Sequence, residues 1–249
     1  MMQDFEGQIV LLTGAAGEIG AATADLFLQR GAKVVSTDLA IQAGGSHIDF
    51  DANPVKIGLD ITDRDQVFTA IDLIIERLGR IDIVINAAGI GSSTPFLSIS
   101  EEDLDRVFAV NVKGFFFVCQ AALKHMIEQK GGCFVNFGSI SGQVGGVLAG
   151  ADYSASKAAV ICLTKSLAKV GAPYGIRANS VAPAAIYSPM LDQYYEDHAE
   201  EMKGFEANHP FGRFGKPVEV ANAVLFLASD AASYITGTCL DINGGTRMN

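Results

Sequence analysis

Three side chains in the segment 139–157 are suited to proton transfer at a carbonyl or alcohol group: Ser139, Tyr153 and Lys157. Tyr153 and Lys157 are four residues apart at the start of a run with helical apolar spacing, so they share one helix face. A nearby ammonium lowers the pKa of a phenol from about 10, which would let Tyr153 exchange a proton near neutral pH. A solvent-exposed helix face has the same spacing, so the pair alone does not decide between the two interpretations.

Ser139 follows an apolar run, 133–137, that is typical of a strand. Ligands of open α/β sheets bind outside the carboxyl ends of the strands, which is where this serine would lie. The sequence therefore predicts that all three side chains converge at the carboxyl edge of a sheet.

Short β-rich runs alternate with helical runs along the whole chain, which is typical of a parallel sheet with helices on both faces. We predict an α/β fold, with residues 1–249 forming a single domain of the doubly wound Rossmann type and about seven strands. Strands are expected near 8–13, 32–37, 55–58, 81–86, 132–138, 176–182 and 238–242. Helices are expected near 18–30, 63–78, 101–128, 152–171 and 217–229, with a capping box from Ser100 to Asp103.

Composition limits the possible partners. The net charge is −10 and no basic cluster offsets it, which argues against nucleic acid and anionic membranes. Lys113 and Gly114 interrupt the richest apolar stretch, so no 18-residue membrane span is expected, and the N-terminus lacks a signal pattern. The four cysteines are scattered singly, which predicts buried free thiols and no metal site. We expect a soluble cytoplasmic protein with a small-molecule partner.

The first predicted strand leads directly into a glycine-rich turn and a helix. Gly14, Gly17 and Gly20 would let the backbone approach a pyrophosphate at the helix N-terminus, although a tight turn without a ligand has the same pattern. Asp38 closes the second strand, where a carboxylate would bind both adenosine ribose hydroxyls and repel a 2′-phosphate. Asp38 therefore favours NAD over NADP.

Together these segments resemble the short-chain dehydrogenase/reductases from about Gly7 to Gly245. The resemblance rests on the glycine-rich loop from Gly14, the segments that begin at Asp60, Asn86 and Pro183, the set Asn111, Ser139, Tyr153 and Lys157, and the C-terminal segments 212–215 and 241–245. It implies a cofactor half near 1–135 and a catalytic and substrate half near 136–249. The implied cofactor-binding residues are Gly14, Gly17, Glu18, Ile19, Gly20, Asp38, Asp60, Ile61, Asn86, Ala87, Ala88, Gly89, Tyr153, Lys157, Pro183, Ala184, Ile186 and Ser188.

The resemblance also implies a catalytic role for four residues. Tyr153 would exchange the proton with the substrate oxygen, and Lys157 would bind the nicotinamide ribose and lower the pKa of the phenol. Ser139 would orient the carbonyl oxygen, and Asn111 would hold a water that links Lys157 to solvent. The family also implies a homotetramer assembled through the helices near 101–128 and 152–171 and the C-terminal end.

The sequence departs from the family pattern at several positions. Glu18 replaces a glycine, and a carboxylate there would weaken cofactor binding unless it points to solvent. Gly17 lacks the cation that NADP users often carry. Ala87 replaces an asparagine and Ala184 a glycine. One extra residue separates Ser139 from Tyr153, in the Gly145–Gly146 loop.

The segment 187–211 has the pattern of an amphipathic lid, although its apolar residues could instead belong to the core or a subunit contact. A lid of this kind favours an apolar alicyclic, aryl or steroid-like alcohol or ketone. Candidate substrate residues are Ser141, Val144, Leu148, Tyr187, Met190, Leu191 and Tyr194. The alternatives are a 3-oxoacyl-[acyl-carrier-protein] reductase and a catalytically silent NAD(H)-sensing protein.

Overall fold

The computed structural model describes residues 5–41, 48–146, 149–188, 203–204, 207 and 209–248. Its strands form a parallel sheet in the order β3-β2-β1-β4-β5-β6-β7. The strands are β1 Ile9–Thr13, β2 Lys33–Asp38, β3 Val55–Gly58, β4 Ile83–Asn86, β5 Gly132–Phe137, β6 Ile176–Pro183 and β7 Cys239–Ile242. The predicted doubly wound α/β fold is therefore confirmed, with each strand close to its expected position.

Helices cover both faces of this sheet. The helices are α1 Glu18–Gln29, α2 Arg64–Leu78, α3 Glu101–Phe108, α4 Phe115–Gln129, α5 Ser141–Val144, α6 Ala151–Gly171 and α7 Pro217–Ala228. Ser100 caps α3 as expected, because its Oγ accepts from the Asp103 amide at 3.0 Å. The division into cofactor and substrate halves stays a prediction.

Two apolar cores lie on opposite faces of the sheet. Alternate strand residues point to opposite faces, so Leu11 joins the core under α2, α4 and α6, while Leu12 joins the core under α1 and α7. Strands buried on both faces explain why their sequences are almost continuously apolar. Because the strand interiors are buried, the residues that could bind a ligand lie at the strand ends and in the loops that follow them.

The helix predicted over 101–128 needs a correction. A π-helical turn, Ala109–Gly114, separates α3 from α4. Its central residue, Asn111, is 1% exposed and bonds to groups outside the helix. Single π-helical turns inside α-helices often mark functional sites, and the apolar periodicity of the sequence carries no signal for one.

The apolar character of this helical run also differs from expectation. The run Glu101–Gln129 contains an 18-residue window with a mean hydropathy of 1.4, of which 44% is buried inside the protein. Lys113 and Gly114 lie inside this window, but its many apolar residues outweigh them. Val118, Ala122 and Met126 of α4 pack into the core, as in the core helix of a globular domain.

The cysteines differ in burial. Cys119 and Cys133 are buried free thiols as expected, and burial raises the pKa of Cys133 to about 11. Cys162 is instead exposed on α6 and Cys239 is half-buried. The expectation that all four are buried is therefore wrong for these two, since apolar neighbours in the sequence do not fix which helix face a residue occupies.

Candidate active site

A continuous groove follows the carboxyl ends of β1, β2, β4, β5 and β6. It consists of three adjoining clefts of about 580, 370 and 250 Å³, which share lining residues such as Gly14, Ala87 and Ile186. The first cleft contains Asp38, and the last contains Ser139, Tyr153 and Lys157. The groove therefore joins the predicted nucleotide residues to the predicted catalytic residues.

The glycine-rich loop packs against neighbouring backbone so closely that two of its positions have no room for a side chain. A Cβ atom at Gly14 would lie 2.5 Å from the Ala88 amide nitrogen, and one at Gly20 would collide with the Gly14 carbonyl oxygen. Gly14 also has φ of +74°, which glycine adopts without strain. The loop leads into α1, whose N-terminal amides and helix dipole favour an anion.

Asp38 lies at the first cleft, held by the backbone. Its two carboxylate oxygens accept from the Ala16 amide at 3.0 Å and the Ala40 amide at 2.9 Å. Within the described part of the chain, no lysine or arginine lines this cleft, whereas Asp60 adds a second carboxylate. The electrostatic character of this end is therefore acidic.

Asp60 and Ile61 border the same cleft beyond β3. The Asp60 carboxylate accepts from the Thr62 amide at 2.8 Å and the Thr62 hydroxyl at 2.7 Å, which fixes the turn. Ile61 is 8% exposed and packs where a Cβ atom at Gly114 would lie. Both residues shape the cleft wall, as expected from their place after a strand.

Asn86 differs from its expected position. Its side chain points into the core, where Nδ2 donates to Asn136 Oδ1 at 2.9 Å, and Asn136 Nδ2 donates to Thr164 Oγ1 at 2.9 Å. Ala87, Ala88 and Gly89 line the groove instead. The residue ends β4 with its side chain toward α6, because successive strand residues alternate between faces. Asn86 supports the loop without lining the groove.

Ser139, Tyr153 and Lys157 converge at the far end of the groove. Ser139 and Tyr153 line the same cleft, close enough for the Ser139 hydroxyl to affect the pKa of the phenol. Lys157 is 6% exposed, its Nζ donates to the Phe137 carbonyl oxygen at 2.9 Å, and the same atom lies 5.8 Å from the centroid of the Tyr153 ring. The predicted juxtaposition of hydroxyl, phenol and ammonium is present.

The ionisation of this cluster departs from the sequence-based expectation. Burial raises the pKa of Tyr153 above its ordinary value, and the hydrogen bond from Ser139 only partly opposes this effect. Burial also lowers the pKa of Lys157 to about 8. The expected lowering of the phenol pKa is therefore not found, because the loss of solvent outweighs the effect of Ser139 and Lys157 contributes no resolved lowering.

Asn111 connects two elements of the site through its side-chain amide. Its Oδ1 accepts from the Ile90 amide at 2.8 Å, and its Nδ2 donates to the Ile90 carbonyl at 2.9 Å and to Ser156 Oγ at 3.0 Å. A Cβ atom at Gly89 would lie 3.1 Å from both Asn111 Oδ1 and Lys157 Nζ. The π-helical turn thus brings Asn111 beside the lysine.

Comparison with known proteins identifies the family. A family model described as enoyl-(acyl carrier protein) reductase matches residues 14–247. A 3-oxoacyl-[acyl-carrier-protein] reductase from Thermotoga maritima is 42% identical over 244 residues, covering 96% of this chain and 98% of that protein. The chain belongs to the short-chain dehydrogenase/reductase family. It is therefore an oxidoreductase of a family that uses nicotinamide cofactors.

Further relatives of this dehydrogenase/reductase include a second 3-oxoacyl-[acyl-carrier-protein] reductase and structures that carry other activity names. The Escherichia coli 3-oxoacyl-[acyl-carrier-protein] reductase is 36% identical and covers 98% of this chain and 99% of that protein. A Thermoplasma acidophilum aldohexose dehydrogenase structure has a TM-score of 0.86 at 36% identity, over 97% of this chain and 94% of that one. A glucose/ribitol dehydrogenase structure from Brucella melitensis has a TM-score of 0.88 at 32% identity, over the full length of both chains.

The segment after β6 closes the groove of this short-chain dehydrogenase/reductase from one side. Pro183, Ala184 and Ile186 line the catalytic cleft, and Ile186 forms a parallel bridge with Gly215. Ser188 borders the cleft at the glycine-rich loop, together with Glu18 and Ile19. The groove is therefore lined both by residues that follow β1 and by residues that follow β6, which come from opposite halves of the chain.

The predicted substrate residues are only partly described. Ser141 begins α5, Val144 ends it and is 61% exposed, and Tyr187 packs edge-on against Phe214 with ring centroids 5.8 Å apart. Leu148, Met190, Leu191 and Tyr194 lie outside the described residues, as does most of the proposed lid at 187–211. The lid stays a prediction.

Some groove residues were missed from the sequence. Ala16, Leu39, Thr62, Ile90 and Val110 line the first cleft, and Phe137 lines the other two. Ile90 could have been found, because it directly follows Gly89 in the loop beyond β4. The others contribute backbone or apolar surface, which no residue type marks in advance.

Proposed function

We propose that this short-chain dehydrogenase/reductase transfers a hydride between NAD(H) and a secondary alcohol or its ketone in the cytoplasm. The observation that carries the proposal is the convergence of Ser139, Tyr153 and Lys157 at one end of a groove whose other end contains Asp38. The bound nicotinamide would supply or accept the hydride. The remaining chemistry is proton transfer and orientation by the chain itself.

Each member of the cluster has a role that its position supports. Tyr153 is the proton donor or acceptor for the substrate oxygen, and the Ser139 hydroxyl, which lines the same cleft, orients that oxygen. Lys157 binds the nicotinamide ribose and supplies positive charge near the phenol. Asn111 holds the Ile90 loop and α6 together, and its place beside Lys157 suits the proposed water relay.

The pKa of Tyr153 favours the reductive direction at neutral pH. Because burial raises this pKa above its ordinary value, the phenol carries its proton at pH 7 and is ready to donate it. Oxidation of an alcohol needs the phenolate, so it is expected to accelerate as the pH rises. Comparing kcat for both directions from pH 6 to 10 tests this assignment.

The acidic end of the groove supports NAD over NADP. Asp38 is fixed by two backbone amides with its carboxylate at the cleft, where a 2′-phosphate would meet a negative charge without a compensating cation among the described lining residues. Gly17 contributes no cation either. The cofactor preference rests on these residues of the chain itself.

The proposed substrate is an apolar alicyclic, aryl or steroid-like ketone or alcohol, because segment 187–211 is rich in apolar and aromatic residues. A second candidate is a 3-oxoacyl thioester, which the names of the Thermotoga maritima and Escherichia coli relatives favour. An acidic carrier protein would need a basic docking surface, and the net charge of −10 argues against one.

The deciding experiment follows nicotinamide absorbance with NADH and NADPH against apolar ketones, aldoses and an acetoacetyl thioester, with Tyr153→Phe as control. NADH-selective ketone reduction that falls at least about 10³-fold in Tyr153→Phe, with NADH binding retained, is the expected result. Faster NADPH-dependent reduction of the thioester would favour the second candidate. Tight NADH binding without turnover of any compound would instead indicate a sensor.

A homotetramer is the proposed assembly. An apolar cavity of about 240 Å³ lies between α4 and α6, lined by Phe115, Phe116, Leu123, Leu163 and Leu167 among others. Phe116 and Val170 are 45% and 53% exposed there, so pairing of this face between subunits would bury them. Light scattering should give four times the chain mass of 26.2 kDa, and a monomer mass would contradict the proposal.

A further inference from the structure

Three side chains connect the C-terminal end of the chain to α5. Gln143 Nε2 donates to Asp241 Oδ1 at 2.7 Å. Arg247 Nη1 donates to Gln143 Oε1 at 3.0 Å and to Asp241 Oδ2 at 3.2 Å. Gln143, Asp241 and Arg247, here named the C-terminal clamp, therefore form a closed ring of three hydrogen bonds.

A specific turn after β7 brings Arg247 back over the strand. Asn243 Nδ2 donates to the Arg247 carbonyl oxygen at 2.9 Å, and Asn243 Oδ1 accepts from the Gly245 amide at 2.9 Å. Gly244 and Gly245 have φ of +58° and +84°, which glycine adopts without strain. The turn therefore places the arginine where it reaches both Asp241 and Gln143.

The residues between Gln143 and Ser139 form one short hydrogen-bonded unit. The Ser141 amide donates to Ser139 Oγ at 3.1 Å, the Gly142 amide to the Ser139 carbonyl at 3.0 Å, and the Gln143 amide to the Ile140 carbonyl at 2.9 Å. Gln143 is therefore connected to the Ser139 hydroxyl through a single turn of hydrogen-bonded backbone.

The unit also contacts the sheet and α6. The Ile140 amide donates to the Pro183 carbonyl at 3.0 Å. Beyond Gln143 the chain enters the loop that is one residue longer than usual, in which Gly145 has φ of +77°. α5 packs against α6, since a Cβ atom at Gly142 would lie 2.7 Å from the Ala158 amide nitrogen, and the C-terminal clamp adds a side-chain anchor at Gln143 next to this loop.

The clamp is also sheltered from solvent. The side chains of Arg247 and Asp241 are 27% and 19% exposed, so their charge-assisted bonds are stronger than those of a fully exposed pair. We propose that the C-terminal clamp holds α5 in place and thereby positions the Ser139 hydroxyl against the substrate oxygen. This proposal rests on the proposed function for the role of Ser139.

Hydrogen–deuterium exchange tests the clamp without any need for turnover. In the full chain, Arg247→Ala and Gln143→Leu should each raise amide exchange in peptides covering 139–146 several-fold, and should leave peptides covering 14–20 unchanged. Arg80→Ala is the matched control, because it removes an arginine–aspartate pair at the start of β4. Unchanged exchange in 139–146 would overturn the proposal, whatever the activity.

Turnover then tests whether the clamp acts through the serine. Arg247→Ala should lower kcat about tenfold with little change in KM for NADH, Arg247→Lys should restore part of the loss, and Arg80→Ala should have no effect. In a Ser139→Ala background, Arg247→Ala should cause little further loss. A loss of the same factor in both backgrounds would show that the clamp does not position Ser139. Absence of turnover in the wild-type protein would contradict the proposed function alone.

Discussion

At the Asp38 end of the groove a half-buried carboxylate is held by backbone amides, whereas at the Lys157 end an ammonium is 6% exposed with one carbonyl partner. The Asp38 carboxylate borders solvent, where it can distinguish ligands by attraction and repulsion. The Lys157 ammonium has lost most of its hydration, so its charge is costly until a ligand arrives. The Asp38 end therefore holds a carboxylate at little cost in stability, whereas the Lys157 end holds an ammonium at a substantial cost.

The largest expected effect is at Lys157. Its pKa falls from 10.5 to about 8 on burial, which corresponds to a destabilisation of the charged form on the order of 3 kcal/mol. In Lys157→Met this cost is removed, but Phe137 loses its hydrogen-bond partner, so we expect a net stability gain of about 1 to 2 kcal/mol at pH 7. Turnover should fall about 10²- to 10⁴-fold. Urea unfolding and steady-state kinetics measure the two effects.

The stability difference between Lys157→Met and the wild-type protein should depend on pH. Between pH 8 and 10.5 the folded wild-type protein has released the Lys157 proton while the unfolded chain still holds it, so wild-type stability rises relative to the variant. The stability advantage of Lys157→Met should therefore shrink from pH 7 to pH 10. An advantage that is equal at both pH values would contradict the assignment of the cost to a buried charge.

A smaller effect is expected at the Asp38 end. Asp38→Ala should narrow the preference for NAD over NADP about 10- to 100-fold, because it removes both the ribose hydrogen bonds and the repulsion of the phosphate. Adding Gly17→Arg should favour NADP further, since a Cβ atom at Gly17 meets only the Gly14 carbonyl oxygen, at 3.5 Å. The ratio of kcat/KM for the two cofactors is the measurement. Gly17→Ala is the control and should leave this ratio unchanged, and an unchanged ratio in Asp38→Ala would refute its role.

The smallest effect is expected at Glu18, between the two ends. Its carboxylate begins α1 and borders the cleft at the glycine-rich loop, where it would repel a pyrophosphate. Glu18→Gln should lower the NADH dissociation constant a few-fold at low salt, and the difference should diminish at high salt. Fluorescence titration tests this, with Asp25→Asn as a control for charge removal on an exposed position of the same helix. An equal increase in NADH affinity in both variants would indicate an effect of net charge only.

The strands and most helices could be predicted from the sequence because their information is local. A parallel strand such as β5 is an apolar run of the right length, and the glycine-rich loop is recognisable by its position after β1. The meeting of Tyr153 with Lys157 follows from helix periodicity alone. Their approach to Ser139 follows from the rule that ligands bind at the carboxyl ends of strands.

The remaining features depend on contacts between distant segments. In the π-helical turn, the side chain of Asn111 forms hydrogen bonds with Ile90 and Ser156, which lie far away in the sequence. The raised pKa of Tyr153 depends on how completely the fold removes water, which a helix pattern does not report. The C-terminal clamp joins Gln143 to residues about a hundred positions later, so no motif marks it.

The opposite placement of the two chain ends has a practical consequence for anything attached to the protein. Phe5 is 1% exposed, packs edge-on against Phe27 and precedes β1, at the edge of the sheet away from the groove. Arg247 instead turns back toward α5 beside the catalytic cleft. A tether for immobilising the protein therefore belongs upstream of Phe5, which is anchored in the core, whereas a tether at the other end would strain the proposed support of Ser139.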